Sequence, residues 1–341
     1  MTPVDSKPFF FWRHLNKLRW LSLSMVFFML VLIPFLHLYQ TYIAAHAYDL
    51  LYPSEKIIYD SMETLSAPFV NDPENDLDLL KGTTWSGRLF GLDLSDPLAL
   101  AGQIAASGKL LWPFVLTALI PIGLTMIFGR FFCGWICPAN FLYELNTTFG
   151  FWLRNIGIHT GQRRMSRKFK YLVLFVTLLL SPLLGSVAVA AIYSPAIVGR
   201  EIYYAIALGG FGVGAVFFTG TLLFDLLVAR RGFCRYLCPG GALYSLLGRF
   251  RLLRIQRVVE DCNDCAKCNA VCEFGLDPLR DGFGMECNNC TACMAVCPTD
   301  ALVFKVTAKD QPDRGPGHLS RQYRRVHNKS FEDSPGIEGG T

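Results

Sequence analysis

The chain has 341 residues, 52% of them hydrophobic and only 17% charged. That is too little charge for a soluble domain of this length and points to a membrane class. The net charge of +5 is modest, and its distribution along the chain is more informative than its sum.

Residues 1–17 carry Lys7, Arg13 and Lys17 ahead of the first apolar stretch. That stretch, Leu18–Ile43, is too long for a secretory signal and lacks a small-residue cleavage site, so it reads as a retained span. The segment 44–109 follows as a loop with Asp72, Glu74, Asp76 and Asp78 among its many acids. Further spans are expected at Leu110–Phe128, Tyr171–Tyr193 and Tyr204–Val228, with a short loop near Ser194–Glu201. Pro34, Pro121 and Pro182 fall inside spans, where neighbouring helices re-satisfy the freed carbonyls. Basic residues cluster before the first span, between the second and third (Arg154, Arg163, Arg164, Arg167, Lys168, Lys170) and after the fourth (Arg230, Arg231, Arg235, Arg249, Arg251, Arg254, Arg257). By the positive-inside rule both termini are cytoplasmic and the acidic loop faces outward, as in a multi-pass protein of a prokaryotic inner membrane. The run Arg163–Lys170 sits beside a membrane, so orientation and lipid head groups explain it better than nucleic acid does. Trp20, Trp112, Trp135 and Trp152 read first as an interfacial belt.

The chain contains a repeat. "GRFFCGWICPANFLYEL" (Gly129–Leu145) aligns with "ARRGFCRYLCPGGALYSL" (Ala229–Leu246) at an offset of 101. Each copy holds a Cys-x-x-x-Cys-Pro motif, Cys133/Cys137-Pro138 and Cys234/Cys238-Pro239, so the membrane part, 18–258, is expected to be two duplicated hairpins. The prolines suit the first turn of a helix, which puts Cys137 and Cys238 near a helix N-terminus where a thiolate or bound anion is favoured. The four thiols are candidates for one shared metal or iron–sulfur site. A redox thiol pair and plain structural cysteines are the alternatives.

The remaining eight of the twelve cysteines form two runs, Cys262-x2-Cys265-x2-Cys268-x3-Cys272 and Cys287-x2-Cys290-x2-Cys293-x3-Cys297-Pro298. This is the spacing of a bacterial two-cluster ferredoxin, in which three closely spaced thiolates wrap one Fe4S4 cube and the fourth reaches the other. One cluster is then expected on Cys262, Cys265, Cys268 and Cys297, the other on Cys287, Cys290, Cys293 and Cys272. Zinc sites usually use Cys-x-x-Cys pairs a dozen or more residues apart, or mix in histidine, and no histidine lies between Cys262 and Cys297. Disulfides are disfavoured in a reducing compartment. Cys272 is followed by Glu273 where a proline is expected. Of the six histidines only His37 lies well inside a span, so bis-histidine haem is not expected. The segment 259–308 is thus an α+β ferredoxin domain appended to an α-helical integral membrane protein of four transmembrane helices, and the polar tail 309–341 is expected to be disordered.

Taken together, the spans, the two Cys-x-x-x-Cys-Pro motifs and the double C-terminal run resemble the NapH/MauN family of membrane ferredoxin-type proteins. "FGLDLSDPLAL" (Phe90–Leu100) is also similar to that family's outer loop. The resemblance covers roughly Leu18–Val306. It implies electron transfer between the membrane quinol pool and a periplasmic or cytoplasmic redox partner, as the membrane component of a quinol dehydrogenase system. The alternative it leaves open is an accessory factor that delivers electrons for assembly of a periplasmic metalloenzyme or its cofactor.

Overall fold

A computed structural model describes residues 9–46, 48–68, 80–82, 86–89, 92–158, 161, 163, 165–185 and 187–312. The acids Asp72–Asp78, and the tail beyond Pro312, lie outside the described residues. The long helix α1 (Phe9–Ala44) is followed by α2 (Pro53–Ser66) and an antiparallel meander of β1 (Leu80–Gly82), β2 (Ser86–Leu89) and β3 (Leu92–Ser95). Then come α3 (Pro97–Ser107), α4 (Trp112–Phe128), a π-turn (Phe132–Ile136) and α5 (Pro138–Asn155). The second half runs α6 (Phe169–Leu184), α7 (Ser194–Ala207), α8 (Val213–Leu227), a second π-turn (Phe233–Leu237) and α9 (Pro239–Leu247). The C-terminal unit consists of β4 (Leu253–Arg257), α10 (Lys267–Val271), α11 (Ala292–Ala295) and β5 (Leu302–Val306).

Among the described residues only α1, over His14–Ala44, is long and apolar enough to cross a membrane by length and composition. Helices α4, α6 and α8 are apolar but have 17, 16 and 15 residues. At 1.5 Å per residue that is about 23–26 Å, short of a hydrocarbon core of about 30 Å. The expected third span ends nine residues early because Gly185 caps α6 in the left-handed region, φ 59°. The fourth starts only at Val213, after Gly209 (φ 65°), Gly210 and Gly212 break the apolar run.

Two helices absent from the sequence reading, α3 and α7, change the architecture. Each starts with proline in its first turn. Asp96 caps α3 by accepting from the Leu98 N–H at 2.7 Å, which fits the known preference for Asp at an N-cap followed by proline. The repeat unit is therefore four helices, not a two-helix hairpin: α1, α3, α4, α5 in one half and α6, α7, α8, α9 in the other. Its partners are exchanged. Helix α1 packs on α7 while α6 packs on α3, and α5 packs on α8 while α9 packs on α4. The two halves interlock about a pseudo-two-fold axis, and both Cys-x-x-x-Cys-Pro motifs lie in the middle of the shared core.

The C-terminal unit reaches further back than position 259. Strand β4 pairs antiparallel with β5, Leu253 opposite Val306 and Arg257 opposite Leu302. Beyond β5 the chain is still held, with the Gln311 side-chain oxygen accepting from the Arg257 N–H at 2.8 Å.

Candidate iron–sulfur centres

Each Cys-x-x-x-Cys-Pro motif folds the same way. Its first cysteine sits in a π-turn, and its second caps the following helix from outside, Cys137 at φ −63°, ψ 115° and Cys238 at φ −63°, ψ 118°. Helix α9 then aims the Gly241 N–H at Cys238 Sγ (3.4 Å), and the Asn140 and Ala139 N–H groups do the same for Cys137. A helix N-terminus with free amides stabilises an anionic sulfur. The interlocked halves bring all four thiols together. Cys137 feels the charge of Cys133 and Cys238, and Cys234 that of Cys238 and Cys137. Burial pushes the Cys238 thiol up to about 11, against the pull of the Gly241 N–H. Bare thiolates are thus disfavoured here, and a cationic centre that takes thiolate ligands would reverse the balance.

In the C-terminal unit the two runs adopt matching loops. The residues flanking the second cysteine of each run are left-handed: Asp264 (φ 55°) and Ala266 (58°), Asn289 (51°) and Thr291 (61°). Cys262, Cys265, Cys268 and Cys297 line a single small cavity with Arg257, Leu279 and Leu302. Around Cys293 stand Cys290, Cys287 and Cys272. Cys268 of the other run also acts on the Cys293 thiol, so the two runs share one neighbourhood. Burial, reinforced by the neighbouring thiols, pushes Cys268 up to about 12, and burial does the same to Cys290 against the pull of Arg19. Among the described residues no three His, Cys, Asp or Glu side chains converge closely enough to chelate a single ion. The all-thiol donor set suits iron–sulfur chemistry.

The two sets differ in position. Cys265 is exposed, whereas Cys287 and Cys293 are buried. Cys234 packs against both the helical core and the C-terminal core. Trp135, expected at a membrane interface, instead donates its Nε1–H to the Asn289 carbonyl at 3.1 Å. Cys234 of the second motif therefore packs against the same core as Cys287 and Cys293, with Cys268, Cys272 and Cys297 around it.

Charges that sequence reasoning missed clamp the two parts together, and they obey the pseudo-two-fold axis. Arg130 of the first repeat pairs with Glu286 at 2.6 Å, and Lys170 of α6 joins the same carboxylate. Arg231 of the second repeat donates from Nε to Glu273 at 2.6 Å and pairs with Glu144 at 3.0 Å, while Arg19 of α1 grips Glu144 from the other side. Glu286 precedes the ligand candidate Cys287, and Glu273 follows Cys272. The missing proline after Cys272 is thereby explained: the position is taken by a carboxylate that anchors Arg231. Burial alone would raise the Glu286 pKa, but Arg130 and Lys170 outweigh it and hold the carboxyl below its usual range. The equivalence of Arg130 and Arg231 in the repeat was the available sequence signal.

A family model described as a 4Fe-4S binding domain matches residues 110–155 and 211–257. Those segments are the two copies of the repeat, each with its Cys-x-x-x-Cys-Pro motif. No solved structure matches the chain. The methylamine utilization ferredoxin-type protein MauN of Methylorubrum extorquens is 34% identical over 60% of this chain and 69% of its own length. The ferredoxin-type protein NapH of Escherichia coli is 33% identical over 60% of this chain and 69% of its own length. More distantly, a putative electron transport protein of Escherichia coli, YccM, is 30% identical over 44% of this chain and 43% of its own length. With relatives above 30% identity matched over more than two thirds of their length, and with the duplicated cysteine motif at the heart of the fold, the chain belongs to the family of ferredoxin-type proteins that includes MauN and NapH.

Proposed function

We propose that this protein is a four-span membrane electron carrier that passes electrons between the quinol pool and a partner redox protein, with its C-terminal unit in the cytoplasm. The reading rests above all on the contact of Cys234 with both cores, which leaves no wide gap between the motif thiols and the ferredoxin cysteines. The outward faces of α1, α4, α6 and α8 carry exposed Phe28, Leu116, Phe175 and Val216, an apolar rim that suits lipid. In this reading Cys262, Cys265, Cys268 and Cys297 hold one [4Fe-4S] cluster, Cys287, Cys290, Cys293 and Cys272 a second, and Cys133, Cys137, Cys234 and Cys238 a further iron–sulfur site. Such clusters supply one-electron steps to a two-electron quinol. The protein's own part is to bury the inner thiols, keep water from them and leave Cys265 at the surface, where a partner can approach.

The test is iron, acid-labile sulfide and zinc per chain on anaerobically purified protein, with low-temperature EPR after reduction. About eight irons with coupled signals are expected from the C-terminal unit, and about ten to twelve when the motif thiols also bind iron. Zinc without sulfide would overturn the reading. In kinetics, replacing Cys133 and Cys234 together by serine should slow quinol-dependent reduction of the C-terminal clusters.

A further inference from the structure

Arg130 and Arg231 are equivalent in the repeat, and their guanidinium groups are spent differently. Arg231 places all three nitrogens on oxygen: Nε on Glu273 at 2.6 Å, Nη1 on the Asn140 side chain at 2.8 Å and Nη2 in an ion pair with Glu144 at 3.0 Å. Among the described residues only Nη1 of Arg130 donates to oxygen. It serves Glu286 twice, at the carboxylate (2.6 Å) and at the backbone carbonyl (3.3 Å). The side chain is 1% exposed, and its Nε–H is buried with no hydrogen-bond partner.

The rest of the guanidinium faces the motif thiols. It acts on Cys133 as a donor and as a charge, and on Cys238 of the other half as a charge. Close approach of α9 allows this: a Cβ at Gly241 would stand 3.0 Å from Arg130 Nη2 and 3.6 Å from Cys238 Cβ. A neutral thiol is a weak acceptor. A thiolate is a strong one, so the spare N–H groups of Arg130 are best matched when these sulfurs are ligands of a bound centre. On the Glu286 side, the carbonyl that Arg130 holds belongs to the peptide that carries the Cys287 nitrogen. One buried cation thus joins a sulfur of the motif site to the backbone of a cysteine in the second C-terminal run.

We propose that Arg130 is a positioning residue shared by two redox sites: its charge and N–H groups raise the reduction potential of the motif site and of the cluster on Cys287, Cys290, Cys293 and Cys272 together. The inference rests on the iron–sulfur reading of both sets above. Net charge and hydrogen bonds near the sulfurs are levers on cluster potential, and here one side chain works both. A guanidinium is not deprotonated in proteins, so Arg130 stabilises the added electron by charge alone and gives up no proton.

The test is an EPR-monitored redox titration of the full-length protein, purified anaerobically, with signals assigned by Cys133→Ser, Cys290→Ser and Cys265→Ser. Arg130→Gln and Arg130→Met remove the charge and leave Glu286 paired with Lys170, so no carboxylate is stranded. Iron and sulfide equal to the parent protein show that a variant is folded, and two neutral replacements guard against failure of one. Both should lower the midpoints of the Cys133 and Cys290 signals by about 59 mV, a tenfold loss in the equilibrium constant of a one-electron couple. The Cys265 signal should stay in place, and Arg130→Lys, which keeps the charge, should recover most of the loss. Unchanged midpoints in the folded variants, a shift at one site only, or an equal shift of all three signals would overturn the shared role and leave the iron–sulfur reading standing. About eight irons per chain, with every signal surviving Cys133→Ser, would overturn the reading of the motif thiols as an iron–sulfur site and this inference with it.

Discussion

Glu286 shows how much a single buried charge decides. It neutralises both Arg130 and Lys170, whose side chains are 1% and 0% exposed. Removing one partner of such a group leaves an uncompensated buried charge and costs about 3–5 kcal/mol. Glu286→Gln is therefore expected to lower the thermal unfolding midpoint sharply, whereas Asp93→Asn, which breaks the half-exposed pair with Arg88, should change stability by less than about 1 kcal/mol. A second residue sets a pH dependence. Burial raises the Asp96 carboxyl from 3.8 to about 6, even though the Tyr193 hydroxyl and the Leu98 N–H pull it down. Between those values the folded state keeps a proton that the unfolded chain releases. The contribution of Asp96 to stability is then fully present below about pH 4 and is lost, by on the order of 3 kcal/mol, as pH rises through 6. Asp96→Asn should flatten that slope in unfolding midpoints measured from pH 4 to 7, and an unchanged slope would assign it to another group. The two cysteine runs and the repeated Cys-x-x-x-Cys-Pro motif were legible because their spacing is local. The arginines were not, because a charge reveals its role only when the fold supplies its partner: Lys170, read from the sequence as part of a lipid-facing basic run, is fully buried.

Among the elements, the helices that sequence reasoning missed are those whose ends are set by backbone geometry. A hydropathy window over Tyr171–Tyr193 sees one apolar run and does not weigh the left-handed cap at Gly185. The Asp96–Pro97 pair that starts α3 was a readable stop-and-start signal, hidden inside what looked like a long acidic loop. The π-turns were beyond reach of periodicity, since a cysteine every fourth residue fits an α-helix equally well. Their tightness has a consequence at Gly134. A Cβ there would stand 2.8 Å from the Asn288 carbonyl oxygen, backbone against backbone, in the loop between Cys287 and Cys290. Gly134→Ala is expected to cost about 1–3 kcal/mol by overpacking and to shift the EPR signal of the cluster proposed on Cys287, Cys290, Cys293 and Cys272. Gly123→Ala, in the middle of α4 with nothing within 4 Å, should be neutral or slightly stabilising through helix propensity.

For the whole molecule, the pseudo-two-fold axis explains why the two parts are one structure. Glu144 and Ser245 are equivalent in the repeat, and each receives a cation from the first helix of its own half: Arg19 of α1 reaches Glu144, and Lys170 of α6 reaches Ser245 at 3.0 Å, while Arg231 ties Glu144 to the other half at 3.0 Å. The C-terminal unit completes both corners with Glu273 and Glu286. It is held further by Arg167, which donates to the Gly275 carbonyl at 2.7 Å, and by Arg251, which donates to the Gly284 carbonyl at 2.7 Å. Several basic residues that a positive-inside count treats as orientation signals are thus docking groups, and the orientation argument rests on fewer cations than the sequence displays. The arrangement also makes the helical part dependent on its appendage. A chain ending at Leu252 loses Glu273 and Glu286 and leaves Arg130 and Lys170 buried without a counter-ion. Such a chain should accumulate poorly and unfold well below the full-length protein in detergent. Adding Arg130→Met and Lys170→Met to the truncated chain should restore much of the loss, because apolar residues of similar size replace a buried ion cluster at little or no cost, whereas a stranded charge is expensive. If the truncated chain were as stable as the full-length protein, the clamp would contribute nothing. If truncation destabilised it but the methionine pair brought no recovery, the loss would lie in the apolar contact around Cys234 rather than in the charges.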